Sequence, residues 1–326
     1  MSTFHTRSLA LLEAGPDAVA RPSQWLADHR DLVRARVAEH GAVLVRGLGL
    51  TDRAAAATAI HAVVGRPMTE REGFAPREVY GEGMYSSSQW PADQPMCMHN
   101  ELSYATDFPG LMAFACLVAP AVGGVTAVAD TRAVLADLPA DLVARFESIG
   151  WRLTRTYNPL VGVPWQDAFG TCDRAVVERY CEQHALTYAW DSDGGLRTSQ
   201  LRAAVVHHPV TGERCWFNQI AFLNEWTMAR DVREFLTLEF GPEGLPFNTF
   251  YGDGEPLDRT TVDLINDVYE AHTLREPWQP GDLMVVDNVR MAHSREPYRG
   301  ERKIVVGLGG AVRVEECRPT VLPAAG

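Results

Sequence analysis

Apolar residues recur at helical intervals from Trp25 to His40, and a break at Gly41 leads into Ala42-Val43-Leu44-Val45-Arg46-Gly47, an apolar run of strand length ended by glycine. The alanine-rich stretch from Asp52 to Val64 predicts a second helix, stopped by Gly65-Arg66-Pro67. From Gly81 to Pro95 the periodicity disappears into Ser, Gly, Pro and aromatic residues, a composition suited to a loop that approaches a ligand. Strands are predicted at Met112 to Val118 and Val125 to Ala129, separated by a turn through Gly123-Gly124. A short helix with a threonine start follows at Thr131, and another spans Asp141 to Gly150. Cys172 to His184, Thr227 to Phe240 and Thr260 to Leu274 read as further helices, with a turn-rich β segment between the first two. Pro280-Gly281-Asp282 then turns into the strand Leu283 to Asp287. No internal repeat or low-complexity linker forces a division, so one domain over residues 1–326 is expected, with an insertion over 140–275 facing the substrate.

Composition narrows the class without naming a function. At 46% hydrophobic and 22% charged, the 326 residues have the balance of a globular protein with a full core. A net charge of -12 and the absence of a basic cluster argue against nucleic acid as a partner. No run of 18 apolar residues is present to span a bilayer, and the start lacks a signal-like apolar segment, so a cytoplasmic protein with no membrane partner is expected. The six cysteines (Cys97, Cys116, Cys172, Cys181, Cys215 and Cys317) form no Cys-x-x-Cys pair and read as free thiols.

Chemistry concentrates in two segments far apart in the chain. In Met98-His99-Asn100-Glu101-Leu102, a strand would project His99 and Glu101 to the same side, where an imidazole and a carboxylate can share one metal. A third ligand is needed, because His-x-Glu alone occurs often by chance and is far more often an exposed salt-bridging or helix-surface pair. His293 follows the strand and turn of Val285-Val286-Asp287-Asn288, while His207 and His208 compete for the role. Two imidazoles and one carboxylate would make the face that holds non-haem Fe(II) with three positions open. Arg302 offers a planar guanidinium for a carboxylate, with Arg295 and Arg299 as rivals. Thr126, after Gly123-Gly124-Val125, offers a hydroxyl at a strand entrance that matters only if Arg302 lies opposite.

Taken in order, Met98 to Tyr104, Gly123 to Thr126 and Asp287 to Arg302 resemble the taurine dioxygenase-like family of Fe(II)/2-oxoglutarate oxygenases, a likeness running from Gly41 to about Gly309. The resemblance implies a mainly β fold, a double-stranded β-helix (jelly roll) with helical insertions. It places His99, Glu101 and His293 at the metal-ligand positions, and Thr126 and Arg302 at those that bind the distal carboxylate of 2-oxoglutarate, with O2 as second cosubstrate. Glu101 stands where much of the family has aspartate. This resembles the variant of clavaminate synthase and several amino-acid β-hydroxylases, and it fills the place a halide would need for halogenation.

The segments Trp190 to Leu196 and His207 to Gln219 further resemble a subgroup near the syringomycin aspartyl hydroxylase, which acts on a carrier-tethered amino acid. That likeness implies hydroxylation of an amino acid or amino-acid-derived natural-product intermediate, with a peptidyl carrier protein as a candidate partner. Ser87, Asn218, Gln219 and Arg295 are candidate substrate contacts. Desaturation, epoxidation or ring closure at the same iron is the enzymatic alternative, and a non-catalytic small-molecule or carrier binder is the other.

Overall fold

The computed structural model describes residues 8–157, 162–241 and 244–325. Its largest sheet has seven strands in the order Ala10–Glu13, Ala42–Arg46, Leu283–Asp287, Asp107–Val118, Lys303–Arg313, Met84–Ser86 and Val79–Gly81. The central strands are nearly continuous apolar runs because both faces are covered. Val43, Val45, Leu283 and Val285 point to a helical layer with Leu26, Val33, Val37, Ala59 and Ile60. Their alternating neighbours Ala42, Leu44, Met284 and Val286 point the other way, onto Phe114, Val128 and Met291. Val128 and Met291 belong to a four-stranded sheet in the order Thr273–Leu274, Val128–Asp130, Met291–Arg295 and Met96–His99. His293 pairs directly with His99 in its antiparallel register.

The predicted helices form with edges set by local chemistry. Asp52 caps Arg53–Val64 by accepting from the Ala55 amide at 2.9 Å, and Gly65 ends it with φ of 80°. Asp130, rather than Thr131, caps the helix Thr131–Asp137. The single helix expected over Trp25 to His40 is two, Pro22–Asp28 and Arg30–His40, joined at His29. There the imidazole stacks on Trp25 at 4.1 Å and its Nδ1 meets the Trp25 carbonyl at 2.8 Å, beside the backbone bonds from His29 to Trp25 and from Val33 to His29 that run through the joint.

The mainly β jelly roll expected from the resemblance is corrected by the sheets themselves. The chain forms a mixed α/β fold of several open sheets, and among the described residues none closes into a barrel or double-stranded β-helix. One reason lies at the first edge of the large sheet, where Ala10–Glu13 runs parallel to Ala42–Arg46 and the return path is taken by the helical layer. The opposite edge, Val79–Gly81, is three residues long and interrupted by a register shift, which ends the ladder.

Within residues 140–275 lies a further five-stranded sheet, built on Thr187–Trp190, Leu196–Arg202, Trp151–Tyr157 and Phe247–Tyr251, with Ala324–Ala325 added from the C-terminal end. The segment that follows Arg214–Trp216 brings Asn218, Gln219 and Phe222 against the strand carrying His99. No helix among the described residues is long and apolar enough to cross a membrane.

Candidate metal centre

His99 ends the strand Met96–His99, and Glu101 lies beyond it in a turn, so the shared direction of the two side chains does not come from strand alternation as expected. It comes from Asn288. The Asn288 side chain accepts from the Glu101 amide at 2.7 Å and donates to the carbonyls of Glu101 and Pro109 at 2.9 Å each, while the Asn100 amide group donates to the Asn288 carbonyl at 2.7 Å. This reciprocal clamp sits in the turn that precedes Met291–Arg295, so one residue fixes Glu101 and launches the strand carrying His293.

The three side chains converge. One donor atom from each of His99, Glu101 and His293 lies within 4.8 Å of the others, and all three residues are buried. Glu101 Oε2 is 3.4 Å from His293 Nε2 and 3.8 Å from His99 Nε2. The His99 ring presents Nδ1 to the Cys97 carbonyl at 2.8 Å, which makes Nδ1 the protonated nitrogen and leaves a lone pair on Nε2. Among the described residues, His99 Nε2 and Glu101 Oε2 are buried without a hydrogen-bond partner. Orphaned buried acceptors of this kind cost free energy unless something fills the space between them. Two imidazole nitrogens and one carboxylate oxygen suit a divalent first-row metal, and Fe(II) fits this donor set.

The electrostatics agree with a neutral imidazole and an ionised carboxylate. Burial, reinforced by His293, pulls the His99 pKa down to about 3. For Glu101, burial alone would raise the pKa, but the Arg77 guanidinium and the two imidazoles reverse that and hold it well below the usual carboxylate range. Arg77 reaches Glu101 Oε1 at 2.9 Å. Phe222 stacks on the His99 ring at 4.4 Å, and Phe74 meets both rings edge-on.

The cavity at this cluster is lined by Ser87, Ser88, Phe114, Ile304 and Val306, and also by Thr126 and Arg302. Arg302 Nε donates to the Gly124 carbonyl and Nη2 to Thr126 Oγ1, both at 2.9 Å, and the Trp278 indole donates to the same hydroxyl at 3.3 Å. Gly124 has φ of 68°, and a Cβ there would lie 2.9 Å from Tyr298 Cβ and 3.2 Å from Arg302 Cδ, so glycine permits the close approach. Burial and the neighbouring Arg295 bring the Arg302 pKa down to about 10. Among the described residues, neither arginine has a carboxylate within ion-pair distance.

The other sequence candidates fall in different places. Ser87 lines the cavity. Asn218 and Gln219 are buried and do not line it; Asn218 donates to the Ala204 carbonyl at 3.2 Å and Gln219 to the Asn100 carbonyl at 2.9 Å, bracing the ligand turn. Arg295 donates to the carbonyls of Trp90, Pro91 and Gln94, pinning the Gly81 to Pro95 segment, and its Nε has no partner among the described residues. Of the rival histidines, His208 pairs with Asp287 at 2.8 Å and His207 meets the Arg318 carbonyl at 3.0 Å, so neither joins the cluster. Arg299 lies in a two-stranded ribbon with Val122–Gly123. Sequence reasoning missed Arg77, Glu70, Phe222 and Trp278, since each acts through a partner distant in the chain.

The family model for "Taurine catabolism dioxygenase TauD, TfdA family" matches residues 6–308. The chain is 33% identical over 272 residues to the dapdiamide synthesis protein DdaC of Enterobacter agglomerans, covering 83% of each, and 26% identical over 285 residues to a clavaminate synthase-like protein of Arabidopsis thaliana, covering 83% of this chain and 82% of that one. Among solved structures it resembles PvcB of Pseudomonas aeruginosa, with a TM-score of 0.53 at 17% identity over 93% of this chain and 87% of that one. A taurine dioxygenase of Burkholderia xenovorans matches with a TM-score of 0.52 at 16% identity over 98% and 92%. With a family model matched along nearly all of the chain and a converging His-Glu-His cluster at its centre, the protein belongs to the TauD/TfdA dioxygenase family and is an Fe(II)/2-oxoglutarate-dependent enzyme.

Proposed function

We propose that the enzyme hydroxylates an unactivated C-H bond of an amino acid or amino-acid-derived natural-product intermediate, presented free or on a peptidyl carrier protein. His99, Glu101 and His293 hold Fe(II) on one face, and Arg302 with Thr126 receives the distal carboxylate of 2-oxoglutarate. One observation carries this reading: His99, whose orphaned Nε2 stands 3.8 Å from the orphaned Glu101 Oε2, lines the same cavity as a guanidinium, Arg302, that lacks a counter-ion among the described residues. When bound, Fe(II) couples O2 reduction to the oxidative decarboxylation of 2-oxoglutarate, yielding succinate, carbon dioxide and the oxidising power to remove a substrate hydrogen.

The residues around it supply placement. Arg302 stays charged at neutral pH, since its pKa of about 10 lies well above 7, and its planar fork can grip a carboxylate with parallel hydrogen bonds. Phe114, Ile304, Val306 and Met96 keep bulk water from the cavity, and Phe222 and Phe74 hold the His99 ring in one orientation. A second cavity of about 430 Å³ shares Met96, Ser294 and Arg295 with the first, a size suited to a small-molecule ligand. Its lining includes Asp263 and Asp267 from the helix Arg259–Ala271 together with Arg295, charges that suit the ammonium and carboxylate of an amino acid. Both the helix and Phe222 come from residues 140–275, supporting that region as the substrate-facing insertion. The relative's name, a dapdiamide synthesis protein, supports natural-product chemistry.

The test is anaerobic binding of Fe(II) and 2-oxoglutarate, followed by oxygen-dependent succinate formation across a mass-spectrometric screen of free and carrier-bound amino acids. A product heavier by one oxygen is expected. Loss of two hydrogens would replace hydroxylation by desaturation or cyclisation, and failure to bind Fe(II) with 2-oxoglutarate would overturn the reading.

A further inference from the structure

We propose that Arg77 is a positioning residue that confines Glu101 to ligation through one oxygen and ties that carboxylate to the loop over the cavity. The inference rests on the Fe(II) reading above. A glutamate has two equivalent oxygens on a broad terminal torsion, so an unrestrained Glu101 could chelate with both and occupy two metal positions. A 2-oxo acid needs two positions and O2 a third, which leaves one for the carboxylate.

The geometry around Arg77 enforces that limit. Its Nη2 donates to Glu101 Oε1 at 2.9 Å, so only Oε2 faces the imidazoles, at 3.4 and 3.8 Å. The guanidinium is held on its other sides as well: Nε donates to Ser88 Oγ at 2.9 Å, and Nη1 lies 3.4 Å from Glu70 Oε2. Both members of the pair are buried, with side-chain exposures of 7% for Arg77 and 1% for Glu101, so water competes little for either. A planar fork fixed by two hydrogen bonds, with Glu70 as counter-charge beside it, cannot follow a rotating carboxylate, whereas a lysine ammonium could. Ser88 lies in the irregular segment 87–95 that follows the strand Met84–Ser86 and lines the cavity, so the same guanidinium links that segment to the ligand.

The experiment titrates metal-free protein anaerobically with Fe(II) in the presence of 2-oxoglutarate, reading both affinity and the visible charge-transfer absorption of the chelate. Thermal unfolding of metal-free protein checks the fold of each variant. Arg77→Met is expected to weaken Fe(II) binding about 10–100-fold and to shift the absorption band, as loss of a residue that orients a ligand does. Arg77→Lys restores the charge without the fork and is expected to recover part of the affinity but not the band position. If Arg77→Met does not fold, Arg77→Lys decides: a shifted band supports the inference, and wild-type affinity with an unshifted band overturns it. Wild-type behaviour in both variants overturns the positioning role alone, whereas a wild-type chain that binds no Fe(II) overturns the metal reading and this inference with it.

Discussion

At one end of the metal cavity the polar atoms left over include the lone pairs of His99 Nε2 and Glu101 Oε2; at the other the leftover group is a cation, Arg302, with a second cation, Arg295, close enough to depress its pKa. The first end is braced by groups that orient its acceptors: the Asn288 side chain holds the turn, the Cys97 backbone carbonyl fixes the imidazole proton, and the Arg77 side chain takes the spare carboxylate oxygen. The second end is braced by neutral acceptors, the Gly124 carbonyl and Thr126 hydroxyl, which orient Arg302 without cancelling its charge. Each end is thus pre-organised for a ligand of opposite character. On the proposed function, a divalent cation would complete one, and a dicarboxylate reaching between them would complete the other.

The contrast breaks most sharply at a ligand. His293→Ala should abolish oxygen-dependent succinate formation and cost more Fe(II) affinity than the ~10–100-fold typical of outer residues; undiminished titration with Fe(II) would remove His293 from the cluster. Arg302→Ala should act on the opposite end, weakening 2-oxoglutarate about 10–100-fold, the equivalent of roughly 1.5–3 kcal/mol for hydrogen bonds to a charged group. Fe(II) affinity measured without the cosubstrate should stay at the wild-type level, so a parallel loss of both would show that the two ends are not separable. Asn288→Ala strips three hydrogen bonds from the ligand turn and should lower stability by roughly 3 kcal/mol in denaturant melts, together with Fe(II) affinity. Unchanged melts would mean that the turn is held elsewhere.

The smallest effect concerns pH. Burial pushes the Glu70 carboxyl up to about 7, against the opposing pull of Arg77. Because the folded pKa exceeds the unfolded value near 4.5, the protonated form stabilises the fold fully below about pH 4.5, and this contribution is lost as pH rises toward 7. Glu70→Gln should therefore flatten the fall in Tm between pH 5 and 8 and exceed wild type at pH 8 by about 1 kcal/mol, roughly 1–2 °C for a chain of this length. A Tm profile that keeps its wild-type slope would place the titration on another group.

Much of the local architecture was legible in the chain. The strands at Ala42–Arg46 and Leu283–Asp287 and the helix Arg53–Val64 stand close to where apolar runs and breaks put them, because such signals depend on neighbours in sequence. The residues that converge in the cluster were legible only through the family order, since a bare His-x-Glu does not point to a metal and the residue chemistry left His207 and His208 as rivals of His293. What the chain did not disclose was the means of convergence: a turn clamped by Asn288 in place of a regular strand, and a buried Arg77 whose identity as a partner depends on a carboxylate 24 residues away. Nor did local patterning or family likeness foresee open sheets where a jelly roll was expected, because closure depends on which strand edges meet. Periodicity records which face of an element is buried. Only the packed molecule decides what it is buried against, and here that decides where lone pairs are left without donors and cations without acids.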